Sequence, residues 1–467
     1  MTQQVSPLDA TFLELEDADD SAHMHIGAVM VFDALPAGPP LVEEVRLVFD
    51  ERLGLLPRYR QRLSKPRPGP VRWPAWEADA NFDIAAHVRR ATVPHPGGEE
   101  ELREWAADYW SHRLDRARPL WEVVVVDGLA DGRWALASKT HHCMVDGMGS
   151  VDVAHLMLDA EPSPPDRDEL ATGPDDDEDE RVALLPGWVA ASVRAAGHGA
   201  QAMIGAARHP RGAAARALAV VELLVRDEVL SAPRSSLNQP IGATRRFEVV
   251  RARVDELKAI AHERGGTLND VVLAATTAGL RALLLARDEK LPAGGLRAMV
   301  PMNARLPEEQ LALGNRISSL FVELPVAIED SQERYAVVCQ RAESQKAGTQ
   351  SGASDTLLKA TALAPPVVHS VLARGLFAKR LFNVTITNVK GPAQALYAFG
   401  APMLEVWPLV PLAAEHSVGV AVVSYDGDLF FGLVADHATV PDLDVMTEAI
   451  ADEIEALRVG AAEHSSI

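Results

Sequence analysis

The sequence predicts a mixed α/β protein, with two units in which strands interleave with helices. Three observations carry this. The chain has 467 residues, too many for one ordinary core. Runs of β-branched and apolar residues alternate with helix-type runs on both sides of the midpoint. Between them the composition changes abruptly: from Glu161 to Glu180, Pro162, Pro164, Pro165 and Pro174 stand among carboxylates, including Asp175 to Glu180. Such a stretch has too little apolar surface to offset the entropy of ordering it, and reads as a solvated linker. The predicted layout is residues 1–160 as an N-terminal half, 161–244 as acidic linker and helical connector, and 245–467 as a C-terminal half.

In the first half, Met24 to Phe32 is strand-like and Glu99 to Leu114 helix-like. Trp121 to Val126 is a buried-strand run of branched residues. Gly128 to Gly132 turns the chain, and Trp134 to Lys139 returns as a second strand. A helix is expected from Val151 to Leu158. The connector from Gly187 to Val221 has no Asp or Glu but carries Arg194, Arg208, Arg211 and Arg216. It reads either as an Ala-rich surface helix or as an interfacial segment facing anionic lipid, with Pro210 breaking its continuity. In the second half, Phe247 to Val254, Leu296 to Val300, Ile317 to Val326 and Leu381 to Asn388 read as strands. Thr267 and Asp270 have capping-box spacing ahead of a helix from Val271 to Ala286. Tyr425-Asp426-Gly427-Asp428 between Ser417–Ser424 and Leu429–Ala435 is a hairpin signal. A last helix is expected from Asp442 to Leu457.

Composition excludes several classes. Net charge is -21, so no global basic surface exists for nucleic acid. The two cysteines, Cys143 and Cys339, make no disulfide framework and no metal-type C-x-x-C pair, which fits a reducing cytoplasm. The N-terminal residues run into Glu14, Glu16, Asp17, Asp19 and Asp20 rather than an apolar signal region, which argues against secretion. No uncharged apolar run reaches the roughly 18–20 residues of a membrane span, so any membrane contact is expected to be peripheral.

The chemistry concentrates in His141-His142-Cys143-Met144-Val145-Asp146-Gly147, which reads H-H-x-x-x-D-G. One histidine of the pair is the expected base, because adjacent residues at a strand end point to opposite sides. An imidazole with an ordinary pKa near 6.5 suits removing a proton from an alcohol as it attacks a carbonyl. If the chain turns helical, Asp146 shares a face with His142 and orients it; in a loop it braces the turn instead. Rival readings are a metal site, a Cys143 nucleophile and a structural histidine pair. No H-E-x-x-H or Cys/His set accompanies the motif, and a cysteine next to its base in sequence is poorly placed for proton transfer.

H-H-x-x-x-D-G resembles the signature of chloramphenicol-acetyltransferase-like acyltransferases and peptide-synthetase condensation domains. Further segments narrow the resemblance to the bacterial wax ester synthase/diacylglycerol acyltransferase family. They are Ser6 to Phe12, Met24 to Gly27, Leu114 to Glu122 with Pro119-Leu120-Trp121, and Leu237 to Gly242 with Arg245-Arg246. Thr267 to Asp270, Pro301 to Arg305, Leu313 to Arg316 and Thr387 to Pro392 complete the set. This resemblance implies two chloramphenicol-acetyltransferase-like domains as a pseudo-dimer with an interdomain active-site tunnel. It implies acyl-CoA as co-substrate, no cofactor or metal, and diacylglycerol or a long-chain alcohol as acceptor. It makes His142 the base, with His141 supporting it and Asp146 bracing the loop. Arg305, then Arg316, are the candidate partners of Asp146. Asn269 and the Gly147 N–H are candidate oxyanion donors. A cytoplasmic enzyme peripherally associated with membrane or lipid droplets follows. A carrier-protein-dependent condensation enzyme and a non-catalytic lipid-binding relative are the alternatives.

Overall fold

The computed structural model describes residues 4–64, 73–144, 158–162, 232–303, 317–349 and 381–464. The first half contains α1 (Pro7–Ala18), β1 (His25–Phe32), α2 (Val42–Arg52), β2 (Gln61–Leu63), β3 (Trp76–Ala78), α3 (Ile84–His87), β4 (Val88–Thr92), α4 (Glu99–Trp110), β5 (Trp121–Asp127) and β6 (Trp134–His141). The second contains β7 (Arg245–Arg253), α5 (Val254–Arg264), α6 (Leu268–Ala286), β8 (Leu296–Asn303), β9 (Ile317–Leu324), α7 (Ser331–Thr349), β10 (Val384–Lys390), β11 (Tyr397–Ala398), β12 (Ala401–Leu409), β13 (Val418–Tyr425), β14 (Asp428–Asp436) and α8 (Leu443–His464). The expected strands and helices in the described residues are all present, with ends shifted by up to seven residues. The helix expected from Val151 lies outside the described residues up to 157, as do the acidic linker beyond 162 and the connector.

Local chemistry explains several ends. Thr267 caps α6, where Asp270 Oδ2 accepts from the Thr267 N–H (2.8 Å) and from its hydroxyl (2.7 Å). Aspartate thus does the work that glutamate usually does in a capping box. Asp426 and Gly427 both have positive φ, 45° and 87°, the two-residue turn that matches strand twist between β13 and β14. Lys390 ends β10 just before Gly391-Pro392.

Two six-stranded mixed sheets form, in the orders β11-β12-β1-β6-β5-β4 and β7-β14-β13-β10-β8-β9. The first therefore contains two strands from the second half of the chain. β12 pairs antiparallel with β1, with Gly27 opposite Leu409 and Met30 opposite Val406. This crosses the predicted 245–467 boundary. Its sequence, Ala-Pro-Met-Leu-Glu-Val-Trp-Pro-Leu, has prolines at 402 and 408 and no clean alternation, so it does not read as a strand.

The crossing strand ties the halves together. A side chain at Gly432 on β14 would place its Cβ 1.8 Å from the Pro408 carbonyl oxygen on β12. Along β14, Phe430 and Val434 pack into the first core while Phe431 and Leu433 pack into the second. This is the period-2 alternation of a sheet buried on both faces. On the second core's side α6 is buried along most of its length, and Gly279 lets it approach Met446 and Ile450 of α8. Among the described residues α6 alone is long and apolar enough to cross a membrane, but here it is a core helix. Charged contacts add to the junction: Arg251 bonds Glu99 (2.8 Å) and Glu405 (2.7 Å). Buried Arg245 donates its backbone N–H to the Ser111 hydroxyl oxygen (2.9 Å) and its guanidinium to the Ser21 carbonyl.

Candidate active site

β1 and β6 run antiparallel, and their register sets His25 directly opposite His141. Side chains alternate along β6, so His141 shares a face with Lys139. Lys139 is fully buried, and its Nζ donates to the carbonyls of Tyr109 and His112 (2.8 Å each) and pairs with Glu122 (2.9 Å). β6 ends at His141, and His142 opens a single 3₁₀ turn, His142–Met144. The change of backbone at that point separates the two imidazoles. His141 turns into the interior, fully buried, whereas His142 is half-buried.

Helix α1 meets both. Ser6 caps it, its hydroxyl oxygen accepting from the Asp9 N–H (3.1 Å), and Pro7 occupies the first turn where a missing N–H costs nothing. Phe12 and Glu16, four residues apart on one face, then reach the adjacent histidines. The Phe12 ring stacks on His142 with centroids 3.8 Å apart and planes at 13°. Glu16, 1% exposed, sets Oε2 3.4 Å from His141 Nε2 and Oε1 3.4 Å from His25 Nε2. Arg116 closes on Glu16 Oε2 from the other side (2.5 Å) and also reaches Asp17 and the Leu13 carbonyl; Arg113 lies 3.2 Å away.

The electrostatics follow from burial. Burial pushes the Glu16 carboxyl up, but the His141 and His25 imidazoles, each with Nε2 3.4 Å from one of its oxygens, outweigh it and hold the group well below the usual range. Burial pushes His25 down to about 3 and His142 down to about 4, and lowers His141 as well. All three imidazoles are therefore neutral at neutral pH, and His142 is in the form that accepts a proton. Its Nδ1 is buried with no hydrogen-bond partner among the described residues. His141 Nδ1 accepts the Cys143 N–H (3.1 Å). Burial pushes the Cys143 thiol up, away from the thiolate a nucleophile needs. Among the described residues no group of three His, Cys, Asp or Glu side chains is arranged to hold a metal ion.

Of the predicted site residues, His141 and His142 sit together at the end of β6. Asp146, Gly147, Arg305 and Arg316 lie outside the described residues. Asn269, in the first turn of α6, accepts from Asn388 Nδ2 on β10 (3.3 Å), which joins two of the second-half segments. Its amide nitrogen accordingly points away from Asn388. Pro119-Leu120-Trp121 has a packing role: Leu120 is fully buried, Trp121 donates to the Tyr59 carbonyl (2.7 Å) and its ring stacks on His87 (4.6 Å). A groove of about 630 Å³ opens between α4 and edge strand β4, lined in part by Arg89, Arg90 and Trp105, and neither His141 nor His142 lines it.

Sequence reasoning missed the shell around the histidine pair: Phe12, Glu16, His25, Arg113 and Arg116. A local signal existed for part of it. Ser6-Pro7-Leu8-Asp9 is a helix start, and a helix from there puts Phe12 and Glu16 on one face. Nothing local connects that face to a histidine 125 positions later.

Solved structures share this fold. The first condensation domain of the calcium-dependent antibiotic synthetase superimposes with a TM-score of 0.59 at 16% identity, over 98% of this chain and 97% of that one, a likeness of fold alone. "Wax ester synthase/diacylglycerol acyltransferase from Marinobacter aquaeolei" superimposes with a TM-score of 0.72 at 26% identity, over 98% of this chain and 100% of that one. The fold is thus of the two-lobed chloramphenicol-acetyltransferase-like class, here with a histidine pair at the end of a central strand. The family model for the wax ester synthase/diacylglycerol acyltransferase catalytic domain matches residues 5–272, and that for the WS/DGAT C-terminal domain matches 313–458. "Probable diacyglycerol O-acyltransferase tgs1" of Mycobacterium tuberculosis is 34% identical over 460 residues, 97% of this chain and 95% of that protein. A second, tgs2 of the same species, is 30% identical over 97% of this chain and 98% of its own length. The chain belongs to the wax ester synthase/diacylglycerol acyltransferase family and is an acyltransferase enzyme.

Proposed function

We propose that the enzyme transfers an acyl group from acyl-CoA to the hydroxyl of diacylglycerol, making triacylglycerol, with a long-chain alcohol as second acceptor. The observation that carries this is the half-buried, neutral His142 stacked on Phe12, in a chain whose full-length relatives are named diacylglycerol O-acyltransferases. His142 takes the hydroxyl proton while the oxygen attacks the thioester carbonyl. The tetrahedral intermediate collapses, expels CoA thiolate, and the imidazolium returns the proton to sulfur. No acyl-enzyme, metal or resident cofactor enters the reaction. Asn269 and the Gly147 N–H are the proposed oxyanion donors, each typically worth about 2.7–4 kcal/mol. Asp146 braces the loop with Arg305, or else Arg316. The substrates meet in a tunnel between the lobes, and the enzyme works in the cytoplasm at a membrane or lipid-droplet surface.

A carrier-protein-dependent condensation reaction is less well supported, because the likeness to condensation domains is one of fold only. The test uses labelled palmitoyl-CoA with diacylglycerol, then with hexadecanol, on the wild type and His142→Ala. Ester formation by the wild type, lowered at least about 100-fold in His142→Ala, is the expected result. No ester with either acceptor sinks the substrate assignment, and full activity in the variant sinks the base assignment. Liposome flotation with 187–221 deleted tests the membrane role, which fails if binding to anionic vesicles is undiminished.

A further inference from the structure

We infer that Glu16 is a positioning residue for the base, acting through His141 on the backbone turn that carries His142. The inference rests on the reading of His142 as the base and assigns a device that holds it. Two contacts and a peptide bond form a chain: Glu16 Oε2 to His141 Nε2 (3.4 Å), His141 Nδ1 to the Cys143 N–H (3.1 Å), and the covalent step from Cys143 back to His142.

The direction of each contact follows from donor and acceptor chemistry. A backbone N–H can only donate, so His141 Nδ1 carries no proton. A neutral imidazole then has its hydrogen on Nε2, the nitrogen that faces the Glu16 carboxylate. The carboxylate selects that tautomer, because the other would aim a lone pair at an anion. Loss of the carboxylate frees the ring to take the other tautomer or to rotate. Either change withdraws the acceptor from Cys143 N–H and leaves a buried donor unsatisfied within the turn. His142 is one residue away, and a displacement of about 1 Å in a reacting group costs on the order of 100-fold in rate.

Glu16 is also held for this task. Its other oxygen faces His25, paired opposite His141 across β1 and β6. Arg116 and Arg113 supply the counter-charge that makes a buried anion tolerable. Arg116 comes from the segment leading into β5, so helix α1, strand β1 and that segment all converge on one carboxylate. Phe12, one turn earlier on α1, presses on His142 itself. One helix therefore grips both imidazoles of the pair, each by a different interaction.

The experiment has a substrate-free arm and a kinetic arm. With ¹⁵N-labelled histidine, and the His141 signal assigned by its loss in His141→Gln, the wild type is expected to show His141 as the Nε2–H tautomer. Glu16→Gln keeps an acceptor for that hydrogen and is expected to keep the tautomer; Glu16→Ala is expected to lose it. In acyl transfer per folded protein, Glu16→Ala should lower kcat about 100-fold with KM for acyl-CoA changed less than about threefold, and Glu16→Gln should recover at least about tenfold of that loss. A wild-type His141 protonated on Nδ1 overturns the proposal, whether or not Glu16→Ala folds. So does a folded Glu16→Ala with wild-type kcat, which would make Glu16 merely structural. A wild type inactive on every acceptor would instead sink the acyltransferase substrates and leave the tautomer result standing.

Discussion

Glu16 and His141 meet at 3.4 Å although 125 positions separate them, and both are shielded from solvent. The carboxylate stays ionised there because Arg116 and Arg113 face it and because its neighbouring imidazoles stabilise the charge against the cost of burial. The first half of the chain is thus organised around a buried ionic cluster next to the proposed base.

Removing the counter-charge should be costly. Arg116→Met leaves Glu16 with Arg113 as its remaining arginine. Breaking a buried pair typically costs about 3–5 kcal/mol; with Arg113 still 3.2 Å away, a loss on the order of 2–3 kcal/mol is expected. Urea unfolding of the variant at pH 7 measures it. A midpoint equal to that of the wild type would show that Arg116 contributes nothing.

The stack between Phe12 and His142 predicts a smaller, more local effect. Phe12→Leu keeps an apolar side chain and removes the ring. An aromatic pair is worth about 0.5–1.5 kcal/mol beyond its buried area, so kcat should fall by up to about tenfold with little change in KM. A large rise in KM with constant kcat would assign Phe12 to substrate binding instead.

Acid should destabilise the fold well above the carboxylate range. Burial holds His23 and His142 down to about 4, and His25 down to about 3, from 6.5 in the unfolded chain. Between pH 6.5 and 4 the unfolded state therefore binds more protons than the folded state. The stability these groups contribute is fully present above 6.5 and declines as pH drops through that window, by up to about 1.4 kcal/mol per pH unit for each histidine. Urea midpoints that stay constant from pH 7 to pH 5 would contradict this. Below the window, protonation of Glu16 in the unfolded chain adds to the loss, in the same direction.

The junction between the sheets can be probed at Gly432. Its added Cβ would lie 1.8 Å from Pro408 O, a backbone atom that cannot give way as the end of a flexible side chain would. Gly432→Ala should destabilise by about 1–3 kcal/mol or more, the range of overpacked cores. Gly265→Ala is a useful comparison: there is nothing within 4 Å of its Cβ, and only its positive φ of 74° opposes the change. A smaller loss at Gly432 than at Gly265 would mean that β12 does not press on β14 as described.

Much of the fold was legible in advance because it is written in local patterns. The valine run of β5, the Thr267–Asp270 cap of α6 and the Asp426-Gly427 turn each declare themselves within a few residues. β12 does not, because its pairing surface is β1 and its prolines conceal its period. The site divides in the same way. His141 and His142 stand out as a contiguous motif, whereas Asn388 beside Asn269, and Arg116 beside Glu16, are meetings between distant segments.

By itself, the sequence determined a mixed α/β fold, a histidine pair ending a strand and, through its resemblance to a known family, an acyltransferase. Periodicity, capping and a contiguous motif are short-range properties, and they survive in one dimension. Only the tertiary structure decided that His141 turns inward to Glu16 while His142 stacks on Phe12, and that the first sheet borrows β12 from the second half. Those outcomes depend on which buried polar groups find partners and which backbones can approach. Both are settled by packing across the whole chain.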